Sequence, residues 1–326
     1  MVRVKYLNSV ICFCLTLAVA ILPAQASDTR KEDTKSLSHY IVGVYCEGLG
    51  DLEGAVREYQ KALDTDPQSS LLHSNLASVF IQKNNLVLAI EELKQSISFA
   101  PEAVQPHALL ALVYTSQNKA DLAAGEYILA LENATKLEPE NINIYKGLGA
   151  IYLQQKKLKQ AAGIFKLIVN LAPADAEAHF YLGSIYYDLG DFPAAERELK
   201  SAVKLKPDYH EALNSLGYFY LEQDKNIDQA GALIKQALVF EPENGAYLDS
   251  LGWFYFRKGK FKEALSHLER AASFLSDPVI YDHLGDVFLK LGNADSAKLN
   301  WEKSLKLDAQ AYKIKAKLLK LNNHGK

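Results

Sequence analysis

The chain has 326 residues, of which 49% are hydrophobic and 23% are charged. This composition is typical of a folded, helical globular protein. The formal net charge of −3 at pH 7 argues against a nucleic-acid partner, because such partners are bound by strongly basic surfaces.

The first 26 residues form a segment of their own. Arg3 and Lys5 make a positive start, residues 10–22 form an apolar run, and residues 24–26 (Ala-Gln-Ala) have the pattern of a cleavage site. This arrangement predicts a secretory signal peptide over residues 1–26, and we therefore predict that the protein is exported. The apolar run is short for a membrane span, and an uncleaved anchor is the alternative interpretation.

Residues 27–35 are polar and aperiodic, which predicts a flexible leader between the cleavage site and the folded part. Removal of residues 1–26 leaves Cys46 as the single cysteine of the mature chain. No internal disulfide is therefore expected.

A pattern of small residues, rings and prolines begins at residue 36 and repeats along the chain. Small residues stand 34 positions apart, and an alanine follows each of them twelve positions later: Gly43, Ala77 and Ala111, then Ala55, Ala89 and Ala123. Prolines close successive copies at Pro67, Pro101, Pro139, Pro173 and Pro207. A period of this length indicates stacked copies of one supersecondary unit.

Residues 176–209 show how one copy is expected to fold. Leu182, Ile185 and Leu189 have helical spacing, and Gly190 supplies the turn into a second helix. Since one such pair leaves an apolar face uncovered, neighbouring pairs must stack on it. The third copy carries four extra residues, which predicts that its second helix extends through residues 131–137.

These residues resemble the tetratricopeptide repeat family, whose unit is a helix-turn-helix pair. The resemblance implies an all-α fold, a right-handed α-solenoid of about eight units within residues 36–311. The units are 36–69, 70–103, 104–141, 142–175, 176–209, 210–244, 245–277 and 278–311. Residues 312–326 are expected to form a capping helix and tail, with Ile314 and Leu318 facing the last unit and Lys317 pointing elsewhere.

The sequence offers no visible apparatus for catalysis. His39, His73, His107 and His179 share one register position. Equivalent positions of adjacent units lie roughly 10 Å apart, too far to share one metal ion. Motifs for phosphate loops and nucleophile elbows are absent. We therefore predict a protein that is not an enzyme and has no catalytic residues, metal or cofactor.

The resemblance implies that the first helices of the units line a concave groove. In units five to eight, the groove positions carry rings and carboxylates, which suit a protein partner with cationic groups. The predicted partner-binding residues are Phe180, Tyr187, Asn214, Tyr218, Asp249, Trp253, Phe256, Arg257, Asp282 and Asp286. Trp253 is expected to be the most exposed of them. The predicted partner is an extended or helical protein segment with apolar and basic residues.

Residues 214–305 also resemble the C-terminal block of bacterial envelope tetratricopeptide proteins, several of which are scaffolds or protease adaptors. This resemblance implies the periplasm or cell envelope of a bacterium, without membrane contact after signal cleavage. The predicted function is an exported, non-catalytic interaction scaffold. The alternative is an adaptor or regulatory subunit of a cell-envelope hydrolase or protease, and an enzyme in its own right is a third hypothesis.

Overall fold

The computed structural model describes residues 31–324, with the side chains of residues 34–321. The predicted signal peptide at residues 1–26 lies outside the described residues, as do residues 27–30. Within the described part, all regular secondary structure is α-helical, in seventeen helices. This confirms the predicted all-α class.

The helices follow one another with short connections. Their bounds are α1 (Lys31–Gly48), α2 (Leu52–Leu63), α3 (Ser70–Gln82), α4 (Leu86–Phe99), α5 (Val104–Ser116), α6 (Ala120–Leu137), α7 (Ile142–Gln154), α8 (Leu158–Leu171), α9 (Ala176–Asp188), α10 (Phe192–Leu205), α11 (His210–Glu222), α12 (Ile227–Phe240), α13 (Gly245–Arg257), α14 (Phe261–Phe274), α15 (Pro278–Lys290), α16 (Ala294–Leu307) and α17 (Tyr312–His324).

The helices fall into two compact units, which we name the first unit (α1–α8) and the second unit (α9–α17). Within each unit the helices pack as consecutive pairs, and each pair packs on the next. In the second unit the first helices α11, α13 and α15 also contact one another side by side. Each unit is thus a stack of helix pairs, as in an α-solenoid.

The end of helix α6 and the start of helix α1 can be set against the boundaries predicted from the sequence. Helix α6 ends at Leu137, which confirms the predicted extension of the third copy. Helix α1 begins at Lys31, so part of the segment predicted as a flexible leader is helical. The Ser36 hydroxyl, in α1, is buried and donates to the Ala62 carbonyl at 3.1 Å. The polar composition of residues 27–35 did not indicate where α1 begins, because the first turn of a helix that faces solvent needs no apolar residue.

The turn inside each pair requires one residue in the left-handed region, where a Cβ is strained. Gly50, Gly190, Gly259 and Gly292 fill this position with φ between +70° and +82°. Elsewhere asparagine or aspartate occupies it, and in one turn it is Lys156, at φ +57°. The sequence therefore meets the backbone requirement of most turns with the residue types that tolerate it best.

The second unit ends in helix α17, which packs on α16. Ile314 is buried against Ala297 and Trp301, with Leu318 and Leu321 beside them. Across residues 31–324, no helix combines the length and the apolar character that a membrane crossing requires.

Candidate functional site

The second unit contains an open groove of about 350 Å³, which we name the second-unit groove. Helices α9, α11 and α13 supply most of its wall, and the start of α15 closes one side. Its lining residues are Ser184, Tyr187, Asp188, Leu199, Asn214, Ser215, Tyr218, Phe219, Ala246, Asp249, Ser250, Leu275, Asp277, Val279 and Ile280. Four of the predicted partner-binding residues are among them: Tyr187, Asn214, Tyr218 and Asp249.

Two tyrosines form the aromatic part of the second-unit groove. The Tyr187 ring meets the Phe219 ring edge-on, with 6.2 Å between centroids. Burial, with the nearby Glu222 and Asp188 carboxylates, raises the pKa of Tyr187 to about 12. Burial, with Glu222 and Asp249, also raises the pKa of Tyr218. Both side chains are therefore neutral phenols at physiological pH and present ring faces together with hydroxyl groups.

Three carboxylates line the second-unit groove, and two of them already have partners. Asp249 accepts a hydrogen bond of 2.8 Å from Nδ1 of His283, and both side chains are buried. Burial opposes the charge on His283, but Asp249 outweighs it and raises the pKa of that imidazole. Asp277 caps α15 by accepting from the Val279 amide at 2.8 Å. Desolvation raises the pKa of the third, Asp188.

Asn214 presents an acceptor without a partner. Its Oδ1 atom is buried and makes no hydrogen bond within the described part of the protein. A buried acceptor left unpaired costs about 1–3 kcal/mol, and a donor that reaches this oxygen would offset part of that cost.

The three remaining aromatic residues of the predicted set lie outside the groove lining. The Trp253 ring stacks on Phe256 at 4.6 Å and on the buried His283 at 4.1 Å between centroids. The Trp253 indole N–H donates to Glu222 at 2.9 Å. Trp253 is therefore partly buried and internally bonded, rather than the open surface expected of it. Phe180 packs against Tyr209, with 5.2 Å between centroids.

The three remaining charged residues of the predicted set are occupied by contacts within the chain. Arg257 pairs with Asp224 at 2.7 Å and donates to the Leu221 carbonyl, which ties the end of α13 to the end of α11. Asp282 and Asp286 hold the ammonium group of Lys317 at 2.6 Å and 2.7 Å. Burial raises the pKa of Asp286, and Lys317 acts against that rise.

The expectation that Lys317 points away from the last unit is therefore wrong. Lys317 follows Ile314 by three residues, so it lies on the same face of α17 as that buried side chain. This spacing was the available signal. Glu222, which holds the Trp253 indole, had no comparable signal, because the contact joins residues 31 positions apart.

Across the described residues, no group of three or more histidine, cysteine, aspartate or glutamate side chains is arranged to hold a metal ion. The groups that the second-unit groove offers are aromatic faces, neutral hydroxyls, carboxylates and an unpaired amide oxygen.

Comparison with known proteins places repeats along most of the chain. A TPR repeat model matches residues 183–224. Tetratricopeptide repeat models match residues 48–113, 109–176, 245–274 and 279–310.

Individual relatives are distant. A TPR repeat-containing protein of Methanocaldococcus jannaschii is 23% identical over 283 residues, covering 81% of this chain and 48% of that protein. Superkiller complex protein 3 of Homo sapiens is 26% identical over 217 residues, covering 61% of this chain and 14% of that protein. This chain thus spans only a small part of the length of that relative.

Among solved structures, the APC/C hetero-tetramer Cut9-Hcn1 superposes with a TM-score of 0.57 at 17% identity. The match covers 83% of this chain and 52% of the other and indicates the fold alone. Tetratricopeptide repeat proteins, the family of the matched models, are protein-interaction scaffolds and are generally not catalytic. The repeat matches, with the stacked helix pairs, show that the chain belongs to the tetratricopeptide repeat family.

Proposed function

We propose that this protein is an exported, non-catalytic scaffold that binds a peptide or helical segment of another protein in the second-unit groove. The observation that carries the proposal is the meeting of Tyr187, Asn214, Tyr218 and Asp249, from three successive first helices, in one open groove. Aromatic side chains are typical anchors of protein interfaces.

The shape and bonding of the second-unit groove support a segment rather than a small substrate. The groove is open and crosses helices α9, α11 and α13, so a chain lying along it contacts each helix in turn. Its hydroxyl, amide and carboxylate groups suit backbone and side-chain donors of such a segment.

Site-specific photocross-linking tests the binding site. A benzoylphenylalanine at position 215, which lines the groove, is expected to cross-link a protein partner in a bacterial envelope fraction. The matched control is the same residue at position 273, which is exposed on α14 and outside the groove lining. Equal cross-linking from both positions, or none from position 215, contradicts the proposed site. A hydrolase recovered from position 215 would favour the adaptor hypothesis.

The proposal of export rests on residues 1–26, whose charge, apolar run and cleavage pattern are those of a signal peptide. N-terminal sequencing of the protein from an envelope fraction is expected to begin at Ser27. An intact Met1 on protein confined to the cytosolic fraction would count against export.

A further inference from the structure

We infer that the second-unit groove accepts an arginine side chain of the bound segment, seated against Asp188 and Asn214 with its guanidinium on the tyrosine rings of Tyr187 and Tyr218. This inference rests on the proposed function and deepens it, since it names the chemistry of the residue that the groove selects.

The charge of the lining points to a cation. Its carboxylates are Asp188, Asp249 and Asp277, and none of the described residues that line the groove is lysine, arginine or histidine. Asp249 is hydrogen-bonded to His283, and Asp277 is engaged as a helix cap. Asp188 is exposed at the edge of the groove lining and has no hydrogen bond or ion pair within the described residues; partial desolvation raises the pKa of its carboxyl. Its carboxylate is therefore the uncompensated charge that a cationic ligand would meet.

The hydrogen-bonding groups of the lining point to a ligand rich in donors. Ser184 donates to the Phe180 carbonyl at 2.9 Å, and Ser250 donates to the Ala246 carbonyl at 3.0 Å. Both hydroxyl protons are thus used within the helices, so each oxygen can serve a ligand only as an acceptor. The buried Oδ1 of Asn214 adds another acceptor without a partner. A ligand satisfies this lining by supplying several N–H groups at once.

Arginine fits these demands better than lysine. The guanidinium group carries five N–H donors in one plane and stacks on aromatic faces, whereas the ammonium group of lysine is a strongly hydrated point charge. Tyr187 and Tyr218 supply the aromatic faces, and a cation over such a ring gains about 0.5–2 kcal/mol.

On helix α15, beside the second-unit groove, two carboxylates already bind a cation of the chain itself. Nζ of Lys317 lies 2.6 Å from Asp282 and 2.7 Å from Asp286. These two carboxylates are satisfied by α17. The carboxylate of Asp188 has no such internal partner, which leaves it for a cation from another molecule.

The test compares fluorescein-labelled probes of one peptide sequence with a central arginine, lysine or citrulline, read by fluorescence anisotropy. Citrulline keeps the shape of arginine and removes its charge. We expect the arginine probe to bind about tenfold more tightly than the citrulline probe, with the lysine probe between them. Asp188→Asn should reduce this preference to about twofold, because it removes the charge and keeps the size of the side chain.

The matched control is Asp228→Asn, since Asp228 is 86% exposed and lies outside the groove lining. It should leave all three affinities unchanged. Equal binding of the arginine and citrulline probes, an unchanged preference in Asp188→Asn, or no binding of the arginine probe at about 1 mM overturns the inference. If position 215 still cross-links a partner in that case, the proposed function stands without the arginine. If position 215 also fails to cross-link a partner, both the proposed function and the arginine inference are contradicted.

Discussion

Four histidines of the first and second units share a register position and a hydrogen-bonding pattern. Nδ1 of each lies 2.6–2.7 Å from a glutamate 19 residues later: His39 and Glu58, His73 and Glu92, His107 and Glu126, His179 and Glu198. In the last three pairs, Nε2 lies 3.0 Å from the carbonyl of a closing proline. All four histidines therefore join the two helices of a pair, and the last three also bind the preceding loop, which is a structural role.

The pair of His107 and Glu126 predicts a dependence of stability on pH. Burial opposes the charged imidazolium, but the bonds to Glu126 and to the Pro101 carbonyl outweigh it and raise the pKa of His107 above 6.5. The stabilisation is therefore complete below about pH 6.5 and is lost as the pH rises through the folded-state pKa. Glu126→Gln should lower the free energy of unfolding by roughly 1.5–3 kcal/mol at about pH 6, and by less at about pH 9.

Urea denaturation at the two pH values measures this difference. The control is Glu91→Gln on helix α4, because Glu91 is exposed and its substitution should be nearly neutral at both values. A loss for Glu126→Gln that is equal at low and high pH would show that the protonation of His107 does not change between them and would contradict the predicted pH dependence.

Lys156 offers a second prediction at the scale of a residue. It is exposed and sits in the left-handed region at φ +57°, where glycine stands in four other turns. A Cβ in this region costs about 1–2 kcal/mol, while glycine is the more flexible residue in the unfolded chain. Lys156→Gly should therefore raise the free energy of unfolding by roughly 0.5–1 kcal/mol.

The comparison variant is Lys159→Gly, three residues later in helix α8 and also exposed. It should lower the free energy of unfolding by about 0.8–1 kcal/mol, as glycine does inside a helix. Thermal denaturation of both variants measures the contrast. If both variants lose stability, strain at Lys156 is not a significant part of the folded state.

At the scale of the element, the helix pairs depend on close approach at one small residue. A Cβ added to Gly285 would overlap Nε1 of Trp301. Trp301 is 1% exposed and packs against Ile314 of α17, so it has little room to move. We expect Gly285→Ala to lower the free energy of unfolding by roughly 1–3 kcal/mol through overpacking, despite its better helix propensity.

A glycine-to-alanine substitution at Gly163 is expected to change the free energy of unfolding in the opposite direction. Gly163 lies within α8, and nothing stands within 4 Å of an added Cβ. Gly163→Ala should raise the free energy of unfolding by about 0.5–1 kcal/mol. The two variants differ only in the space around the new methyl group. Equal effects, measured by urea denaturation, would contradict the close approach at Gly285.

The elements were largely predictable, because the repeat pattern reports on packing between sequence neighbours. The small residues, the turns and the long helix α6 all follow from local spacing. The glutamate partners of the histidines also recur at fixed spacing, and that signal was missed. The repeat register was also enough to predict that Tyr187, Asn214 and Tyr218 line one groove.

The repeat register did not predict which side chains at the groove positions are already hydrogen-bonded or ion-paired within the chain. Trp253 and Arg257 occupy groove positions by sequence, but Glu222 and Asp224 satisfy them within the chain. Asp286 is likewise held by Lys317. These pairs depend on side-chain directions in neighbouring helices, which a repeat pattern does not contain. Only the three-dimensional structure shows that Asp188 and the Oδ1 atom of Asn214 lack partners while the other residues are paired.

At the scale of the molecule, a stack of repeats buries a position only if a neighbour covers it. Val42 occupies a register position that is a buried leucine in all later copies: Leu76, Leu110, Leu148, Leu182, Leu216, Leu251 and Leu284. Val42 itself is 45% exposed, since α1 is the first of the described helices. Its contribution to stability should therefore be that of a surface residue.

Val42→Ala should change the free energy of unfolding by less than about 0.5 kcal/mol. The matched variant is Val79→Ala in α3, where the side chain is 0% exposed, and this change should cost roughly 1.5–3 kcal/mol. Urea denaturation of the two variants measures the difference. The chemistry of the two substitutions is the same, although Val79 lies at another position of the repeat, so the difference in burial sets the difference in cost. A cost at Val42 equal to that at Val79 would mean that a surface beyond the described residues, from this chain or from another molecule, packs on α1.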